Sequence, residues 1–568
     1  MGRSMHKLSI WFLPRFAVDA KDAGEEGGPM PRGGGSRRWR LTGGGRQRVG
    51  CLKMALAFPP NPPPPHLTNT NNGDSLSLCH HSRLLCLLNE CTDMSQLKQI
   101  HAHTLRTTST INPHTLFLHS RILHFSSLAD LRYAFRVFHQ IQNPNSFAWN
   151  TLIRGCARSS ELESQALLLY CKMLSQGDPM PDEFTFPFVL RACAYLFALS
   201  EGEQLHAHVV KFGFDSDVYI GNSLIHLYAS CGCLDYARKV FVEMRERSIV
   251  SWNVMIDSLV GAGEFETSLK VFGQMQKLFE PDGYTMQSII NACAGLGAMY
   301  LGMWAHAYVL RKCDNAVASN LLVNSSLVDM YCKCGSLDMA LQVFERMPKR
   351  DVITWNYMIL GFAMHGKAEA ALKCFDRMVN MESCKPNSIT FVGVLSACNH
   401  RGMVSKGRKF FDMMVKDYKI EPRLEHYGCL IDLLARAGFI DEGLNLVSSM
   451  PMKPDAVIWR CLLDACSKQP HASIELSEEV AMQILESGGE GISSGVYVLL
   501  SRVYASASRW NDAGSIRKLM TEEGIAKEPG CSLIDIDGIT HEFFAGDTSH
   551  PCGREIYQVL DALNGILK

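Results

Sequence analysis

The 568-residue sequence has no Cys-x-x-Cys pair among its 21 cysteines, no run of 18 consecutive apolar residues and a formal charge of only −1. Each shortage excludes something. Without that cysteine spacing the commonest zinc and dithiol redox signatures are missing. An odd cysteine count in a long chain with no clear secretory signal argues for reduced thiols rather than a disulfide framework. Apolar runs this short predict no membrane span. The near-zero charge speaks at first against nucleic acid, whose binders usually carry a basic surplus. What is present is ordinary globular composition, 47% apolar and 20% charged, enough to bury a large core.

The small total charge hides an uneven distribution. Residues 1–53 carry 11 basic against 4 acidic side chains, residues 81–455 carry 36 of each, and residues 456–568 carry 9 against 16. Residues 1–53 include "GEEGGPMPRGGGSRRWR" and read as a disordered leader or a gene-model artefact, so Met1 and Met54 both stand as starts. Residues 54–80 are rich in Ser, Thr, Asn and Pro, with Asp74 as their one acidic residue. That is the composition of an organellar transit peptide and linker. Arginine is scarce there, which favours a chloroplast over a mitochondrion.

From residue 81 onward a repeat governs the chain. Trp149 opens "WNTLIRGCA", Trp252 "WNVMIDSLV" and Trp355 "WNYMILGFA", at intervals of 103 and 103, and Trp459 follows at 104. Each interval divides into three unequal units, such as 183–217, 218–248 and 249–282. Within 249–282, Val254, Ile256 and Leu259 make one apolar stripe at helical spacing. Gly261 and Gly263 mark a turn. Phe265, Leu269, Val271, Phe272 and Met275 make a second stripe, which Pro281 stops. Neither helix buries its stripe alone. Stacking of neighbouring units does, which predicts an all-α fold, a right-handed superhelical α-solenoid with an inner concave face over 81–455.

The order and lengths of these units, with phrases such as "YGCLIDLLARAG" and "SMPMKPD", resemble plant pentatricopeptide-repeat proteins of the class with alternating long, short and standard motifs. The resemblance covers roughly residues 81–568 and is especially similar to chloroplast editing factors of the chlororespiratory-reduction group. The W-x-x-L-G-x-x-Y pattern of tetratricopeptide repeats is absent. The resemblance implies binding of single-stranded organellar mRNA, one base per repeat, read by the fifth and last residues of each unit. It pairs Asn150 with Asp182 for U, Asn222 with Ser248 for C, Asn253 with Asp282 for U, Ser325 with Asp351 for G, and Asn356 with Asn387 for a pyrimidine. The weaker pairs are Pro187 with Asp217, Gln287 with Asn320, and Val392 with Arg423. His119 with Asn145 and Gly428 with Asp455 are equally open. The implied site is 5′-U-n-C-U-n-G-Y-n-n, with the converted cytidine about four nucleotides beyond the base at Asp455. Asn, Ser and Asp also favour helix caps, so capping stands beside base reading at these positions.

Past Asp455, residues 456–528 keep helix-pair patterning and resemble the family's extension motifs, which in relatives recruit or position the editing machinery. Residues 529–568 include "CSLIDIDGITHEFFAG", an alternation around Asp537-Gly538 that predicts a hairpin, followed by a short helix. This mixed α/β appendage resembles the start of a deaminase-like domain, truncated. Such a domain needs H-x-E and P-C-x-x-C to hold zinc and activate a water. Here His541 and Glu542 are adjacent and neither motif occurs, so no zinc, no other cofactor and no catalytic residue is expected in this chain. His101, His103, His206, His208 and His306 recur at one place in the long motifs, which points to shared packing rather than metal.

The function expected is site selection for C-to-U editing, with a deaminase and other editing proteins acting as partners in trans. Three alternatives remain open: a chain that continues into its own zinc deaminase, an RNA stability or splicing factor, and a protein-binding scaffold.

Overall fold

A computed structural model describes residues 83–107, 113–159, 161–312, 320–380, 384–468, 474–486, 494–522, 524–525, 531–536, 539–544 and 550–567. The leader and transit expectations, residues 1–80, lie outside these. The described chain forms two compact units, one up to Ala292 and one from Cys293.

Each unit is a run of antiparallel helix pairs. In the first unit, the helix Thr185–Leu196 packs on Ser146–Arg158 before it and on Val218–Ser230 after it, and Val218–Ser230 packs on Ile249–Gly261. In the second unit, Leu321–Lys333, Val352–Met364, Ser388–Arg401, Leu424–Arg436, Ala456–Lys468 and Ser494–Ser506 stack in the same way, each with its own second helix. A first helix is therefore covered on three sides. This explains why Trp252, Val254, Met255, Ile256 and Leu259 are all buried, a wider face than the stripe read from spacing. Its second helix, Phe265–Met275, buries Phe272 and Met275 and leaves Leu269 and Val271 half-buried. Gly263 takes φ +80° between them, a left-handed turn that a β-carbon would strain.

The tryptophans mark one packing site repeated three times. Trp149, Trp252 and Trp355 meet Phe138, Phe241 and Phe344 edge to face, with centroids 4.7, 5.0 and 4.8 Å apart. Trp459 departs from this site and is only half-buried.

The recurrent histidines hold tyrosines. His101, His206 and His306 each place Nδ1 2.8 Å from a tyrosine hydroxyl, of Tyr133, Tyr228 and Tyr331 respectively. Burial lowers the pKa of all three, His101 to about 4 with help from His119. The folded state thus favours neutral rings beside the tyrosine hydroxyls. Unfolded histidine takes a proton near pH 6.5, so the folded protein is at full stability above that pH and loses stability as pH falls from about 6.5 toward 4. Melting temperature measured across this range should fall with pH, and the slope should shrink in His101→Gln.

Strands Cys531–Ile536 and Ile539–Phe544 pair antiparallel with Ile536 opposite Ile539, and the helix Gly553–Leu567 follows. Asp537 and Gly538 themselves lie outside the described residues. No described helix is long and apolar enough to cross a membrane.

Candidate nucleic-acid interface

The fifth residue of a unit lies one turn inside its first helix. Asn150, Asn222, Asn253, Ser325 and Asn356 are all buried, with exposures of 8, 1, 1, 5 and 3%. The last residue of each unit is half-exposed and caps the next first helix. Asp182, Ser248, Asp282, Asp351 and Asn387 all have extended or cap geometry with side chains turned to the backbone N–H three residues on. Capping and pairing therefore coincide in the same side chains.

Three repeats share one network. Asn150 Nδ2 donates to Asp182 Oδ1 (2.8 Å), and Thr185 Oγ1 donates to Asn150 Oδ1 (2.7 Å). Asn253 Nδ2 donates to Asp282 Oδ1 (3.0 Å), and Thr285 Oγ1 donates to Asn253 Oδ1 (2.6 Å). Asn356 Nδ2 donates to Asn387 Oδ1 (3.1 Å), and Thr390 Oγ1 donates to Asn356 Oδ1 (2.7 Å). Ser325 differs: its hydroxyl sits 2.7 Å from Thr354 Oγ1, which in turn donates to Asp351 Oδ1 (2.6 Å). Asn222 also differs. Ser251 bonds back to Ser248 (3.1 Å from the Ser248 backbone N), and Asn222 Oδ1 is buried with no partner.

The weaker pairs show no such joining. Pro187 is half-buried and has no N–H to give, while Asp217 caps its helix through Ile220 N (2.8 Å). Gln287 and Asn320 belong to one repeat but to different compact units, and Asn320 accepts from Leu322 N (2.9 Å). Asp455 caps through Ile458 N (2.9 Å), and Asn145 through Ala148 N (3.0 Å). Val392 is buried, and Gly428 is half-buried. At Arg423 the role of threonine passes to His426, whose Nδ1 accepts from Arg423 N (2.9 Å) while its Nε2 donates to Ser388 O (2.9 Å).

The fifth-and-last pattern missed the third member, Thr185, Thr285, Thr354 and Thr390. The signal was available as Asp/Asn-x-x-Thr at each junction. It also missed a charge asymmetry one and two turns further along the first helices. In the second unit the cations there are neutralised within their own helix, Lys333 by Asp329 (2.7 Å) and Arg436 by Asp432 (2.9 Å). In the first unit Arg154 is held below its usual pKa by burial and by Arg158, and His226 by burial and by Arg191. Among the described residues, no three His, Cys, Asp or Glu side chains gather as a metal cluster.

Comparison with known proteins bears on what this array is. A PPR repeat model matches residues 147–178, 222–249, 325–352, 389–418 and 425–453, and a PPR repeat family model matches 247–295 and 350–400. An Arabidopsis thaliana pentatricopeptide repeat-containing protein, described as chloroplastic/mitochondrial, is 60% identical over 523 residues, 91% of this chain and 82% of that one. The chain belongs to the pentatricopeptide-repeat family. A second Arabidopsis thaliana pentatricopeptide repeat-containing protein is 36% identical, over 88% of this chain and 83% of its own length. An E motif model matches 471–535 and an E+ motif model 540–564, the latter spanning the second strand of the hairpin and the terminal helix. Among solved structures, the pentatricopeptide repeat protein PPR10 in complex with an 18-nt psaJ RNA element has the same helical-repeat fold. The TM-score is 0.56 at 18% identity, covering 79% of this chain and 65% of that one. The pentatricopeptide fold is therefore all-α here, apart from the short hairpin.

Proposed function

We propose that this pentatricopeptide-repeat protein binds single-stranded organellar RNA by sequence and selects cytidines for C-to-U editing, with a separate deaminase carrying out the chemistry. The observation that carries the RNA reading is the recurrent junction of a buried fifth residue with a half-exposed last residue, repeated with graded chemistry. In Asn150/Asp182 and Asn253/Asp282 the amide offers a donor beside a carboxylate acceptor, which complements O4 and N3–H of uracil. In Asn356/Asn387 an amide oxygen takes the place of the carboxylate beside the donor, which leaves the pair neutral and suited to a pyrimidine edge. In Ser325/Asp351 the hydroxyl hydrogen is engaged internally, so the pair offers acceptors to N1–H and N2–H of guanine. The complex of PPR10 with RNA supports this use of the fold.

The editing part is supported by the E and E+ motif matches. A chloroplast destination rests on residues 54–80 and accords with the relative's chloroplastic/mitochondrial description.

Electrophoretic binding to 5′-UNCUNGYNN should exceed binding to a base-scrambled control by at least about a hundredfold, at about 1–3 kcal/mol for each well-made polar base contact. Transcriptome sequencing of a null mutant should then show lost C-to-U conversion at a matching site. An unchanged editing profile would end the editing reading and leave RNA binding for stability or splicing.

A further inference from the structure

The third residue of a unit, next to the pair already described, has a role of its own. A primary amide is nearly symmetric in shape, so burial alone does not decide whether its oxygen or its nitrogen faces a base. Something must polarise it. Thr185, Thr285 and Thr390 each place a hydroxyl 2.6–2.7 Å from the amide oxygen of Asn150, Asn253 and Asn356. The same hydroxyls accept from the backbone N–H of Asp182, Asp282 and Asn387, at 3.1, 3.2 and 3.0 Å. That second bond fixes where the hydroxyl oxygen sits, and its one hydrogen has two acceptors in reach: the asparagine oxygen, and Oδ1 of Asp182, Asp282 or Asn387 at 2.9, 2.9 and 3.0 Å, of which the asparagine oxygen is the nearer. Branching at Cβ further restricts the threonine rotamer.

Asn222 lacks this arrangement. Its unit is followed by Ser251, whose hydroxyl lies 3.2 Å from Ser248 Oγ and makes no bond to Asn222. The Asn222 oxygen is left buried and unpartnered, an arrangement that costs more than a satisfied amide. Its neighbour Ser248 is a hydroxyl, able to donate to an amide oxygen or to accept from an amide nitrogen. Either orientation of Asn222 is therefore tolerated, whereas an inverted Asn253 would face its oxygen toward the Asp282 carboxylate.

We propose that Thr185, Thr285 and Thr390 are specificity-positioning residues that set which way the base-reading asparagine faces, and that Ser251 leaves Asn222 unset, so the base at Asn222/Ser248 is the least discriminated of the asparagine-read bases. This rests on the RNA reading above. It places part of the base choice at a residue that need not touch RNA.

The test is selection by the full chain from a single-stranded RNA library randomised over nine positions, scored base by base. In the wild type, the position assigned to Asn222 should be the most permissive of the four asparagine positions. Ser251→Thr should sharpen that one position by roughly three- to tenfold, the weight of one polar contact, and leave the others unchanged. Thr390→Val should relax the position assigned to Asn356 by a similar factor, and Thr390→Ser, which keeps the hydroxyl but loses the Cβ branch, should leave it between wild type and Thr390→Val. Should Thr390→Val fail to fold, Ser251→Thr decides alone. Unchanged base preferences in Ser251→Thr, with the wild type still selecting its assigned sequence, would overturn the positioning role and leave the RNA reading standing. A wild type that selects no sequence at all would overturn the reading and the positioning role together.

Discussion

Asn253→Thr is expected to move the preference at its base from uracil toward guanine by roughly five- to 150-fold, measured as the ratio of Kd values for RNAs differing only there. Asn253 gives Nδ2 to Asp282 and takes the Thr285 hydroxyl on its oxygen, so it supplies a donor beside the carboxylate. A hydroxyl in its place would be drawn into the same internal bonds as Ser325, which lies 2.7 Å from both Thr354 Oγ1 and Leu321 O. The donor is then lost and the carboxylate faces donors only, which suits the N1–H and N2–H edge of guanine. The shorter side chain also makes room for a purine. A penalty of about 1–3 kcal/mol against the former base corresponds to roughly five- to 150-fold. Because Asn253 is 1% exposed, the change alters little else at the surface. Unchanged preference would sink the assignment of this pair.

Much of the fold was legible because it is periodic. Trp149, Trp252 and Trp355 sit at equal intervals and occupy equivalent sites, and Gly263 stands at the turn where its spacing placed it. The hairpin strands flank the Asp537-Gly538 position that alternation picked out. The network at the candidate interface was only partly legible. Spacing along one helix identifies Asn253, and Asp282 is recognisable as a cap. That they meet each other and Thr285 depends on how one first helix lies against the next, about 30 residues away, which no local pattern encodes. For the same reason the tyrosine partners of His206 and His306 were not visible, although the histidines themselves recur. The near-neutral charge also acquires a structural account. Lys333 and Arg436 are balanced by aspartates one turn away in their own helices. A composition count registers such pairs as zero and says nothing of the junctions where the base-edge chemistry sits.

The largest expected loss of stability comes from Trp355→Ala, about 3–5 kcal/mol, the range for removing a fully buried large aromatic. Trp355 is 0% exposed, packs edge to face on Phe344 at 4.8 Å, and lies 5.6 Å from the Arg377 guanidinium. Truncation removes both contacts and leaves a cavity between the helix Val352–Met364 and its predecessors. Trp355→Phe separates packing from polarity. The indole N–H of Trp355 is buried with no hydrogen-bond acceptor, as are those of Trp149 and Trp252, so phenylalanine removes an unsatisfied donor while keeping most of the apolar area. Its cost should be well under half that of alanine. Repeats contact chiefly their neighbours, so the damage from Trp355→Ala should stay near its own repeat. Hydrogen exchange should show lost protection across Leu321–Lys333, Val352–Met364 and Ser388–Arg401, with the distant helix Ser146–Arg158 unaffected. The pair Asn356/Asn387 lies on this segment, so RNA binding should weaken most at the base assigned to it. A uniform loss of protection along the whole chain would instead show that the array unfolds as one cooperative body.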